Sequence, residues 1–263
     1  MNLRTALLLL LPATLLASAA CLPKHDDPID YLQLPESVIV HMDVGAGFLF
    51  PPPDVPEFTL YGDGTLILAA DQGTTLVQSR LSKGEIEDLL EFIENTGFFN
   101  FQYEQPEIFI TDVPTTYFYV NTRDAANAVS AYALGADFPD GDEYEPLRRL
   151  NDIKARLDEI AAGAMTEPFV PETGELAIFP QGSGTTADEP WPFPQIDIAA
   201  AAPDGPATYA LDANELAALG LADPAATTCW CPVEHLGRVF TVRYRPVLPH
   251  EENFPEFDVA PLE

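Results

Sequence analysis

The chain has 263 residues and carries 12 Lys and Arg against 42 Asp and Glu, a formal charge of −30. That balance excludes a nucleic-acid binder, because a phosphate backbone needs clustered cations and here Arg148, Arg149 and Arg156 lie among Asp and Glu on one predicted helix. Hydrophobic residues make up 47% of the chain, enough to build a core, so global disorder is excluded too, and the acidity reads first as solubility or adaptation to a saline habitat.

Residues 1–20 have the three-part form of a secretory signal: Arg4, an apolar run from Ala6 to Leu16, and the small residues Ala17-Ser18-Ala19-Ala20 before Cys21. The run is shorter than the ~20 residues that cross a bilayer, and no later stretch approaches that length, which excludes a polytopic membrane protein. Ala19-Ala20-Cys21 fits the bacterial pattern in which the cysteine is acylated and becomes the first mature residue. Ser18 stands where an aliphatic residue is usual, and Ala17-Ser18-Ala19 also suits ordinary signal cleavage, giving a secreted or periplasmic soluble protein as the alternative. The expectation is export and a lipid on Cys21, with 21–35 as a polar, turn-rich tether.

A first module is expected over 36–163. It opens with a strand from Ser37 to Met42 and the loop Pro51-Pro52-Pro53. A hairpin follows, Phe58 to Tyr61 and Thr65 to Leu68 about Gly62-Asp63-Gly64, whose Asp-Gly supplies positive φ angles. A short strand from Leu76 to Arg80 leads into a helix in which Ser82 and Glu85 have capping-box spacing. Ile86, Leu89, Leu90 and Ile93 form its apolar stripe, Gly97 ends it, and the stripe predicts packing on a sheet. Thr115 to Val120 and Val129 to Leu134 read as strands around the turn Asn121-Thr122-Arg123-Asp124. After an acidic loop, a second helix runs from about Pro146 to Ala162, with Leu147, Leu150, Ile153, Leu157 and Ile160 facing the core.

Pro, Gly and Thr crowd the segment 164–192, which includes Gln181-Gly182-Ser183-Gly184, so a linker or irregular loop is expected there and a second, smaller module over 193–263. Leu211-Asp212-Ala213-Asn214-Glu215-Leu216 echoes Leu81-Ser82-Lys83-Gly84-Glu85-Ile86. Thr227-Thr228-Cys229-Trp230-Cys231 echoes Thr115-Thr116-Tyr117-Phe118-Tyr119, and a strand from Arg238 to Val247 follows. The order suggests duplication of a helix-plus-hairpin unit, although common helix caps could converge on it. The fold class expected is α+β, two related helix-on-antiparallel-sheet modules after a signal and a tether.

Tyr61-Gly62-Asp63-Gly64, Leu81-Ser82, Asp112-Val113-Pro114-Thr115-Thr116 and the helix from Leu147 to Ala161 together resemble an uncharacterised family of bacterial exported proteins and lipoproteins. Arg245-Pro246-Val247-Leu248-Pro249 resembles the end of its actinobacterial members. The resemblance implies export and this fold. It implies no activity, since the shared residues are turns and caps.

Asp137, Asp140, Asp142, Glu143 and Glu145 form a run of oxygen ligands of the type calcium takes, without the alternating order of a known calcium loop; the other reading is a solvated acidic loop. Cys229 and Cys231 point to one face of an extended strand, near the upper limit for a disulfide, so a bridge needs a bend such as Pro232 could supply. Buried unpaired thiols, or a metal site with His235, are the alternatives. His41 and His250 have no motif partners and read as ordinary strand or surface residues. Gly182-Ser183-Gly184 lacks the hydrolase elbow, Asp112 reads as a local turn residue, and no phosphate or dinucleotide loop is present. The expectation is a non-enzymatic binding or interaction module with an envelope protein or other ligand as partner and no cofactor. The alternatives are a hydrolase-like envelope enzyme with its site between the modules and a calcium-stabilised binding domain.

Overall fold

A computed structural model describes residues 29–45, 56–70, 75–101, 113–138, 140–182, 184–187, 189–223 and 229–251. It is a mixed α+β structure of two sheets and four helices. The first sheet has seven strands, all antiparallel: β1 (Val38–Gly45), β2 (Phe58–Tyr61), β3 (Thr65–Ala70), β4 (Thr75–Arg80), β5 (Thr115–Asn121), β6 (Ala126–Tyr132) and β7 (Glu167–Pro168), in the order β6-β5-β1-β2-β3-β4-β7. The second is mixed, with β8 (Thr173–Pro180), β9 (Glu189–Pro190), β10 (Ala207–Leu211), β11 (Cys229–His235) and β12 (Arg238–Val247), in the order β10-β8-β12-β11-β9.

Period-two alternation divides the first sheet into two buried faces. Phe58 and Leu60 of β2, Leu66 and Leu68 of β3, and Phe118 and Val120 of β5 face helices α1 (Lys83–Asn95) and α2 (Glu145–Gly163). The helices answer with Ile86, Leu89, Leu90 and Ile93, and with Leu147, Leu150, Ile153 and Leu157, as their apolar spacing predicts. Cutting any of these leucines to Ala would cost about 2–5 kcal/mol, because the site is closed on every side. Tyr61, Ile67 and Leu76 point to the opposite face, where Leu248, Phe169 and Tyr119 cover them. Covering both faces is why β2 and β3 read as nearly continuous apolar runs.

The hairpin between β2 and β3 turns through Gly62-Asp63-Gly64, with Gly64 alone at positive φ (+93°). A Cβ on Gly64 would lie 2.5 Å from the Leu81 carbonyl oxygen, so this turn also needs glycine for close approach. Asp63 accepts from the Thr65 backbone N–H at 2.9 Å instead of taking a left-handed conformation. The capping box of Ser82 and Glu85 is present, and a second one joins Asp212 and Glu215 at the start of α4 (Ala213–Leu219). In the second sheet Leu176, Ile178, Phe240, Val242 and Val233 pack against Ile198 of α3 (Ile198–Ala201), Leu216 of α4 and Trp191.

Four expectations are corrected. The second sheet, expected to be antiparallel, is mixed, because β9 runs parallel to β11. Tyr31 lies within the segment read as a tether, yet it is buried in the first core, and Asp30 pairs with Arg123. The segment read as a linker holds β8, the strand between β10 and β12, because Gly174, Leu176 and Ile178 alternate inward among its Pro and Gly residues. β6 begins at Ala126 rather than Val129. Thr122 closes a tight loop to Ala125, and that loop sets the register in a stretch of weak β formers. Residues 1–20, Cys21, Pro51-Pro52-Pro53, Asp112, Ser183, Thr227 and Thr228 lie outside the described residues.

Candidate functional site

His41 of β1 and Thr59 of β2 are directly paired across the sheet, and Thr59 Oγ1 lies 3.1 Å from His41 Nδ1. Beyond β12 the chain turns at Leu248, with the Glu251 N–H donating to the Leu248 carbonyl at 3.0 Å, and drives His250 onto the same face. The two imidazole centroids are 5.6 Å apart and nearly perpendicular, and the Tyr61 hydroxyl lies 2.7 Å from His250 Nδ1. His41 and His250 are 5% and 4% exposed, Tyr61 and Thr59 1% and 0%, so the cluster is sealed from solvent.

Burial, reinforced by the neighbouring His250, brings the His41 pKa down to about 3. Burial likewise brings His250 down to about 4. Burial and the charges of Glu251 and Asp63 raise the Tyr61 phenol, which keeps its proton. Both imidazoles and the phenol are thus neutral at pH 7, with the Tyr61 hydroxyl and His250 Nδ1 hydrogen-bonded to each other. Asp43, on the same face of β1, is pushed up by burial against the N–H of Val44, with Glu57 and Glu251 adding to the rise.

The tail is also tied to its own sheet. Arg245 of β12 donates from Nε to Glu175 of β8 at 2.6 Å and from Nη1 to Glu251, whose other oxygen accepts from the Leu248 N–H at 2.8 Å. Beside this clamp lies an open cleft of about 500 Å³. It spans the ends of β8, β10 and β12 and is walled by Glu175, Arg245, Glu251, Asp212, Glu215 and the apolar Leu211. Asp212 and Glu215 are held in place by their reciprocal cap, at 2.8 and 3.0 Å, and Glu215 accepts from the Tyr209 hydroxyl at 3.0 Å. Four carboxylates against one guanidinium make the cleft a preformed negative surface.

The acidic loop does not form a centre. Asp142 and Glu143 begin a 3-10 turn, Glu145 is taken by Arg148 and Arg149 at 3.1 and 3.2 Å, and Arg148 also donates to the Gly141 carbonyl. The arginine hydrogen bonds hold the Glu145 carboxyl below its usual range. Asp137 and Asp140 are not gathered with them, and among the described residues no three His, Cys, Asp or Glu side chains converge as metal ligands. Cys229 and Cys231 are bonded to each other, their Cα atoms 6.0 Å apart, across a register shift between Trp230 and Val233 that spans Pro232. The thiolates of a metal site with His235 are therefore absent, and His235 faces Asp197 at 3.2 Å. Among the described residues no helix is long and apolar enough to cross a membrane.

Sequence reasoning passed over His41 and His250, whose shared site is built by residues 209 positions apart. It also passed over Arg245, Glu175 and Glu251, of which Arg245 appeared only inside a family-like ending. The signal open to it was an unexplained histidine inside the apolar run from Val38 to Met42. Comparison with protein-family models, with curated proteins and with solved structures finds no match.

Proposed function

We propose that this is an exported protein, held at the cell envelope by a lipid on Cys21, that acts as a non-enzymatic binding or interaction module. The observation that carries the reading is the contrast between its two polar sites. The histidine pair, which has the residue types for proton transfer, is shut inside the structure. The open cleft offers fixed carboxylates and a paired arginine, a recognition surface. The Cys229–Cys231 bridge supports an oxidising compartment. The likeness to exported proteins and lipoproteins, and the descent of both modules from one capped helix-plus-hairpin unit, belong to the same proposal; the paired capping boxes support it.

Two experiments test it. Membrane fractionation should place the full-length chain with the envelope and release it as a soluble species when Cys21→Ser is introduced; membrane retention of that variant would overturn the lipid anchor. Cross-linking in the native envelope, followed by capture and mass spectrometry, should give a stoichiometric partner. Reproducible turnover by the purified protein would replace the reading with an enzyme.

A further inference from the structure

The two sheets treat their ends differently. The seven-stranded sheet stops at β7 and the five-stranded sheet at β9, each a two-residue Glu-Pro strand, short and charged and lacking one amide donor, which are the devices that keep a sheet edge from accepting another strand. β6, the other end of the first sheet, carries neither charge nor proline. β10 likewise has none of the Glu-Pro devices in its own sequence. It is five residues long, Ala-Thr-Tyr-Ala-Leu, with neither charge nor proline, and it pairs with β8 on one side only. Among the described residues no backbone group pairs along its outer edge. Thr208 and Ala210 are exposed, small and uncharged, and among the described residues no strand lies beyond β10.

The acidic cleft lies at one end of this edge, since Ala210 and Leu211 line it. We infer that β10 is the docking edge for an extended segment of a partner protein, which adds as a sixth strand to the second sheet and places Lys or Arg side chains in the cleft beside Glu175, Asp212, Glu215 and Glu251. The inference rests on the interaction-module reading and names its partner's chemistry. Backbone hydrogen bonds along β10 supply sequence-independent affinity, and the carboxylates choose a basic end over an acidic one. A second copy of this chain is a poor occupant, because its net charge of −30 repels the same surface.

A phage-displayed library of random peptides about ten residues long, selected on the purified full-length chain, tests it. Enriched peptides should carry Lys or Arg at one end and β-branched residues elsewhere. Their binding should slow amide exchange of Thr208 to Ala210 by at least about tenfold. Methylating alternate backbone nitrogens of an enriched peptide leaves its side chains unchanged and should abolish binding. Ala210→Lys, at an exposed position, should leave the unfolding temperature unchanged and weaken binding by at least about tenfold. Failure to enrich any peptide, or binding that leaves β10 exchange unchanged or survives backbone methylation, overturns strand addition at β10. Those results leave the interaction reading standing, for that reading falls on different results: no partner from envelope cross-linking, or turnover by the purified protein.

Discussion

The Tyr61 hydroxyl lies 2.7 Å from His250 Nδ1, joining the first hairpin of the chain to its last described turn. Both groups are buried, so the bond cannot be exchanged for water. Tyr61→Phe keeps the ring and removes the buried hydroxyl that bonds His250 Nδ1, which should destabilise the protein by about 1–3 kcal/mol in urea unfolding. Unchanged stability would mean that the tail is not held there.

Stability should fall as the solution is acidified from neutrality. Both histidines have folded pKa values below the unfolded 6.5, so the unfolded chain binds protons first. Their contribution is complete above pH 6.5 and is lost as the pH falls toward about 4 and about 3. For His250 alone the loss across that window is about 3 kcal/mol. Asp43, raised by burial, works the other way near the carboxylate range and offsets part of it. Urea unfolding at a series of pH values checks this, and a flat profile between pH 6.5 and about 4 would contradict it.

Each capping box fixes a helix start beside one of the two sheets. Ser82→Ala and Asp212→Ala should each lower stability by about 1 kcal/mol. Asp212→Ala should also change peptide binding, because this side chain lines the cleft, while Ser82→Ala should not. Equal effects on binding would separate the cleft from recognition.

Calcium should move the unfolding temperature by less than about 1 °C, since a ligand stabilises only through a site in the folded state. Glu145 is already satisfied by Arg148 and Arg149, and its acidic neighbours do not converge on it. A calcium-dependent rise of several degrees that disappears in the Asp140→Asn, Asp142→Asn double variant would restore the calcium loop.

Local chemistry was legible in the sequence wherever neighbours in the chain are also neighbours in space. The stripe of Ile86, Leu89, Leu90 and Ile93 foretold a sheet-packed helix because residues three and four apart share a helix face. Ser82 and Glu85 foretold their cap for the same reason, and the bond between Cys229 and Cys231, one of three readings, needs only a local departure from a straight strand. β8 was missed because its alternation is brief and framed by Pro and Gly, and its strand character depends on β10 and β12 being present to pair with it.

The sequence by itself determined α1, α2 and α4, most strands, the turn glycines and the acidic character, all of which follow from periodicity, steric freedom and charge. Tertiary structure alone decided that Tyr31 is buried, that His41 meets His250, that Arg245 clamps Glu175 to Glu251, and that β10 is the end strand of its sheet among the described residues, beside a cleft. Each of these depends on strand order, which brings residues as far apart as Tyr61 and His250 within bonding distance, and no local pattern encodes that order.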